Sequence, residues 1–152
     1  MEAERRMLST AELEALWDKL KELVDTTGSE LVQKCGSLEL TIRRLAQLSL
    51  SQRVVIFYDK GVFIGILVFD VMQEWWSNDK FLVEHFVLCV TTNYKGFARD
   101  AIDELERLAK LFDCDVVVAG CYFNKDTQMI SNSYKKKGFT IMCPNYVKLL
   151  KE

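Results

Sequence analysis

Apolar residues near the start of the chain recur at helical spacing. Leu13, Leu16, Trp17, Leu20, Leu23 and Val24 fall on an i, i+3, i+4, i+7 stripe. The stripe predicts a helix over about residues 9–28, with Ser9 or Thr10 as its cap and Gly28 at its end. Glu12 completes a capping box if Ser9 is the cap. A second helix is expected through "SLELTIRRLAQLSLS", capped by Ser37, with a short strand before it near Leu31 to Gln33. The pattern then turns β-rich. In "RVVIFYDKGVFIGILVFDVMQ" two such runs flank the turn signal Asp59-Lys60-Gly61, which predicts a hairpin. "KFLVEHFVLCV" predicts a third long strand. "GFARDAIDELERLAKLF" returns to helical spacing, with Ala101, Ile102, Leu105, Leu108, Ala109 and Phe112 on the buried side. A buried strand follows in "DVVVAGCY", then a short helix in "KDTQMISNSYKKKG" that Gly138 ends. "FTIMCPNYVKLL" predicts two last strand pieces broken near Pro144. The order ααβββαβαββ is that of an α+β, mixed-sheet fold.

Composition narrows the class. A chain of 152 residues without repeats, low-complexity tracts or Pro/Gly-rich linkers reads as a single domain, 1–152. A net charge of -2 gives no global pull toward nucleic acid or anionic lipid. No apolar run is long enough for a membrane span, and the first residues lack the apolar core of a signal peptide. The five cysteines show no C-x-x-C spacing and read as reduced thiols of a cytoplasmic protein. His85 is the only histidine, so no imidazole-built metal site fits within one chain, and no metal is expected.

The candidate chemistry begins at "TNYKGFARDAIDEL", where a strand hands over to a helix. A helix N-terminus offers unpaired amides and positive potential. Gly96 lets an anion approach the backbone, Ala98 keeps the next turn uncrowded, and Lys95 and Arg99 add positive charge. That chemistry suits a pyrophosphate; a plain glycine turn into a helix is the other reading. The spacings of a P-loop and of the three-glycine dinucleotide fingerprint are missing. Further on, "SYKKKGF" sets Tyr134 on the last helix, four residues before Gly138.

Together these motifs resemble the GNAT superfamily of N-acetyltransferases, in its phage and bacterial form. That family carries a strand, then Gln/Arg-x-x-Gly-x-Gly/Ala, then a helix; the matching positions are Asn93, Tyr94, Lys95, Gly96, Phe97 and Ala98. Its Tyr-x-x-x-Gly-Phe falls on Tyr134 to Phe139, and "WWSNDKFLVEHFVLCVTTNYKG" looks like its glutamate-bearing strand and loop. The resemblance covers Arg53 to Leu150. Asn93 replaces the usual Gln or Arg, Thr92 the common proline, and Thr127 the asparagine of the last helix. The chain also opens on a helix, an N-terminal extension at about 9–28, where the family's fold opens on a strand.

The resemblance implies a mostly antiparallel sheet with a splay between the fourth and fifth strands, here Phe81–Val90 and Asp115–Tyr122. It implies acetyl-CoA in that splay, its pantetheine paired with backbone near Leu88 and Val90. The pyrophosphate would meet the amides from Lys95 to Arg99, with Asn93 and Thr127 among the cofactor contacts. A primary amine of a protein or small molecule attacks the thioester directly. Glu84 would take the amine's proton, and Tyr134 would protonate the departing thiolate. In a regular strand Glu84 shares a face with Phe86 and Leu88, and His85 points the other way. Each role has a plainer reading: Glu84 as a buried partner for another charge, Tyr134 as core packing. Trp75 and Trp76 either wall the acceptor pocket or cover a sheet edge. The resemblance also leaves room for a homodimer, for the host cytoplasm if the gene is a phage's, and for a non-catalytic module that binds CoA or a protein partner.

Overall fold

The computed structural model describes residues 1–26, 28–92, 94–120, 127–141 and 147–150, the side chains of residues 127–130 excepted. The elements run β1 (Glu2–Glu4), α1 (Thr10–Thr26), α2 (Glu30–Cys35), α3 (Leu38–Leu50), β2 (Val54–Asp59), β3 (Val62–Gln73), β4 (Lys80–Cys89), α4 (Phe97–Leu111), β5 (Val116–Val118) and α5 (Thr127–Lys136). One sheet takes the strands in the order β1-β2-β3-β4-β5. Its pairs are antiparallel except β4 with β5, which is parallel.

Strand alternation sorts the core onto the two faces of this sheet. Val55, Phe57, Leu67, Phe69 and Leu82 meet Phe97, Ala101, Leu105, Leu108 and Ala109 at the α4 end. On the other face Val54, Ile56, Ile66, Val68, Phe86 and Leu88 meet Leu16 and Leu20 of α1 and Leu45 of α3. Gly65 is small for a reason. A Cβ there would stand 2.2 Å from Leu88 O and 2.9 Å from the Phe97 ring.

The N-terminus departs from the sequence reading. The chain does open on a strand: β1 pairs antiparallel with β2, Ala3 opposite Phe57. Nor is α1 an appendage, since Leu16 and Leu20 are buried against the sheet. Its start is a capping box, with Glu12 N donating to Ser9 Oγ (3.2 Å) and Ser9 N to Glu12 Oε1 (2.8 Å). The strand expected near Leu31 to Gln33 is the helix α2. Ser29 caps it and Lys34 pairs with Glu30 one turn back at 2.8 Å. In the segment after α5, residues 139–141 and 147–150 are not in strands, and Pro144 lies outside the described residues.

The middle of β4 carries the largest consequence. Val68 pairs with Phe86, but Phe69 pairs with Glu84, so His85 is an extra residue in the ladder. This bulge flips the alternation. Leu82 and Val87 both pack on the α4 side, whereas Phe86 and Leu88 pack on the α1 side. Glu84, two residues after Leu82, therefore does not share a face with Phe86 and Leu88. It lies on the α4 and α5 side, and His85 is exposed at the bulge.

Candidate active site

Strand β5 pairs with β4 only over Phe81↔Val116, Leu82↔Val117 and Val83↔Val118. Of the predicted Asp115–Tyr122, Val116–Val118 form β5, Asp115, Ala119 and Gly120 are not in a strand, and Cys121 and Tyr122 lie outside the described residues. Glu84 thus stands one residue beyond the last pair of β4 with β5 among the described residues. Its side chain is buried, at 4% exposure. The Tyr134 hydroxyl, from α5, donates to Glu84 Oε2. Glu84 Oε1 is buried with no hydrogen-bond partner among the described residues. Burial pushes the carboxyl up from its ordinary value, against hydrogen bonds from the Tyr134 hydroxyl and the Gly120 amide that favour the charged form. A buried carboxylate with one oxygen left unpaired is costly unless something else uses that oxygen.

The Tyr-x-x-x-Gly-Phe spacing is a helix-ending device. Gly138 takes a left-handed φ of 88°, Phe139 N donates to Tyr134 O (3.1 Å) and Gly138 N to Lys135 O (3.0 Å). These are the two bonds of a Schellman ending, and the Phe139 ring closes edge-on against Tyr134 at 5.3 Å. Tyr134 is held from both sides, by that ring and by the core under α4. Lys137 Nζ ties this end of α5 to Asp103 of α4 at 2.5 Å.

At the far end of β4, Gly96 is the N-cap of α4 with φ 86°. It has no side chain to cap the helix, so the first-turn amides of Phe97, Ala98 and Arg99 are left for water or a ligand. The Phe97 ring is core, edge-on to Phe57 at 5.4 Å, so only its backbone can serve a ligand. Lys95 and Arg99 are exposed, and the Arg99 guanidinium pairs with Asp100 at 3.1 Å beside Gly96. The loop is fixed from outside. Tyr94 donates its hydroxyl to Asp59 Oδ2 (3.0 Å), and Thr91 its hydroxyl to Phe63 O (3.0 Å). The tie between residues 59 and 94 escaped the sequence reading, since nothing local marks a contact that long in sequence.

The expectation for Leu88 and Val90 is corrected. Val90 N donates to Ile64 O at 2.8 Å, and Leu88 O lies against Gly65, so their backbone groups serve the β3 ladder. Alternation turns the backbone of Val87 and Cys89 the other way, toward the β5 side of β4.

Comparison with known proteins settles the architecture. No family model matches the sequence, and no curated protein matches it. Solved structures do. A GCN5-related N-acetyltransferase from Ralstonia eutropha JMP134 aligns with a TM-score of 0.71 at 11% identity, over 99% of this chain and 100% of its own. A ribosomal-protein-alanine N-acetyltransferase from Brucella melitensis biovar Abortus 2308 aligns with a TM-score of 0.67 at 13% identity, over 99% and 100%. The fold is that of the GNAT acetyltransferases. A third GNAT-fold match is AAC(6')-Iy, solved with the bisubstrate analog CoA-S-monomethyl-acetylneamine. It aligns with a TM-score of 0.61 at 12% identity, over 98% of this chain and 99% of its own.

Within this GNAT fold, Glu84 and Tyr134 come together and the Gly96 loop follows the open end of β4. Trp75 and Trp76 do not join them. They lie in the β3–β4 turn, 93% and 63% exposed, before the start of β4. Trp76 rests edge-on against Phe81 at 5.8 Å. Asn93 and the Thr127 side chain lie outside the described residues. Among the described residues no group of His, Cys, Asp and Glu is placed to hold a metal, and no helix is long and apolar enough to cross a membrane.

Proposed function

We propose that the protein is an acetyl-CoA-dependent N-acetyltransferase that acts on a primary amine of a protein or a small molecule. The observation that carries this reading is the meeting of Glu84 and Tyr134 just beyond the described β4–β5 pairs, with a buried carboxylate oxygen that has no hydrogen-bond partner among the described residues. Acetyl-CoA supplies the activated thioester and its thiolate leaving group. The first-turn amides after Gly96 hold the pyrophosphate, helped by the dipole of α4. The edge of β4 near Cys89 gives an extended pantetheine a strand-like partner. Glu84, its basicity raised by burial, takes the proton of the attacking amine. Tyr134 gives its proton to the departing sulfur. The cytoplasm supplies both acetyl-CoA and amines, and we place the activity there.

Calorimetry with acetyl-CoA is the first test, and micromolar or tighter binding is the expected result. The second is incubation of a cell lysate with the protein and isotope-labelled acetyl-CoA, read by mass spectrometry. Labelled amines beyond the protein-free control are expected and would name the acceptor class. Binding without any labelled amine would reduce the protein to a cofactor-binding module. Absence of binding would overturn both.

A further inference from the structure

The contact between Tyr134 and Glu84 raises a question that two separate roles do not answer. A base that takes a proton has to lose it again, and an acid that gives one has to regain it. Glu84 is buried at 4% exposure and its Oε1 has no hydrogen-bond partner among the described residues. Among the described residues the surroundings offer few exits. Strand β3 presents Phe69 opposite Glu84, and β5 presents its valines. The Gly120 amide only donates. Asp103 of α4 and Lys137 beyond α5 pair with each other. The Tyr134 hydroxyl, in contrast, is already hydrogen-bonded to Glu84 Oε2 and both donates and accepts.

We propose that Glu84 and Tyr134 form one proton-passing pair, in which the proton Glu84 takes from the amine replaces the one Tyr134 gives to the sulfur. This rests on the acetyltransferase reading. The balance closes within the site. The amine loses an N–H proton to Glu84 as the C–N bond forms, and the C–S bond breaks. The Tyr134 hydroxyl turns from Oε2 and hands its proton to the sulfur, and Glu84 returns a proton to the Tyr134 oxygen. Starting from the neutral amine, carboxylate and phenol end as they began, and the transfer itself sends no proton to solvent. The pair also sets an order. A phenol beside a carboxylate is a weaker acid than one beside a neutral carboxyl, because ionising it would place two negative charges together. Tyr134 therefore becomes a competent acid only after Glu84 has accepted its proton.

The test begins with the two groups themselves. In protein carrying ¹³C at glutamate carboxyls and tyrosine ring carbons, the Glu84 and Tyr134 resonances are expected to share an inflection across the pH titration. Tyr134→Phe should move the Glu84 midpoint upward. Calorimetry with acetyl-CoA runs beside it. Thiol release from acetyl-CoA is then compared for Glu84→Gln, Tyr134→Phe and the double variant. A coupled pair loses no more in the double variant than in the worse single one, whereas independent groups lose the product of the two. Independent titration, or multiplied losses, would overturn the pair while leaving the acetyltransferase reading intact. A wild-type protein that does not bind acetyl-CoA would overturn both.

Discussion

Glu84 begins from the ordinary carboxyl value of 4.5 and is raised from it, burial being the largest cause. The folded protein therefore binds this proton more readily than the unfolded chain does. Below the ordinary carboxylate range both states are protonated and the group costs nothing in charge. As pH climbs through that range toward the raised folded value, the unfolded chain ionises first and the fold loses stability. Glu84→Gln stays neutral and still accepts a hydrogen bond from Tyr134. Its melting temperature is expected to exceed the wild type's near neutral pH, by a margin that vanishes in acid. A margin independent of pH would assign the difference to packing instead. Gly96 makes the opposite case, a residue kept for its backbone. At φ 86° any L side chain is strained, so Gly96→Ala should cost roughly 1–2 kcal/mol of stability. It should still bind acetyl-CoA, because its Cβ would meet only the flexible Arg99 side chain. Gly96→Glu adds a negative charge at the proposed pyrophosphate site and should abolish binding in calorimetry. Equal affinity in all three proteins would remove the pyrophosphate from this loop.

At the scale of elements, local devices were legible in the sequence and long-range register was not. Ser9 and Glu12, Gly96, and the Tyr134-to-Phe139 ending are closed by hydrogen bonds within a few residues, so their residue types announce them. The stripes of α1 and α4 are equally local. The bulge at His85 is different, because it exists only in the pairing of β4 with β3, and nothing in "VEHF" marks it. Without the bulge, regular alternation puts Glu84 on the face of Phe86 and Leu88, which is the wrong one. Strand β1 was missed for a related reason. All three of its residues are exposed, and its partners lie around Phe57, so it has no apolar alternation to read. The role of α1 follows from the same packing. Leu16 is fully buried on the sheet face opposite α4, so Leu16→Ala should destabilise the protein by about 2–5 kcal/mol. Chemical denaturation would read this as a lower midpoint at an unchanged slope. A loss under 0.5 kcal/mol, the ordinary surface-mutation scale, would return α1 to the status of an appendage.

Over the whole molecule the proposed function separates holding from reacting. The groups proposed to react stand at the bulge, one from mid-β4 and one from α5, and the proposed anion loop begins where β4 ends. Strand geometry puts about 20 Å of chain between Glu84 and Val90. A cofactor that runs along this edge as proposed gains its affinity from the loop and the strand, while its acetyl group alone reaches Glu84. CoA and acetyl-CoA should therefore stabilise the protein to similar extents. At a hundredfold excess over the dissociation constant, mass action gives about 2.7 kcal/mol. For a chain of this size that corresponds to a rise of roughly 5–11 °C in melting temperature. Glu84→Gln and Tyr134→Phe should keep that rise, whereas Gly96→Glu should lose it. The activity variants should behave in the reverse way, with Tyr134→Phe slowing turnover by roughly ten- to a thousandfold. A thermal shift that needs the acetyl group, or that disappears in Glu84→Gln, would move the seat of affinity from the loop to Glu84. It would also make the buried oxygen of Glu84 a binding contact before it is a base.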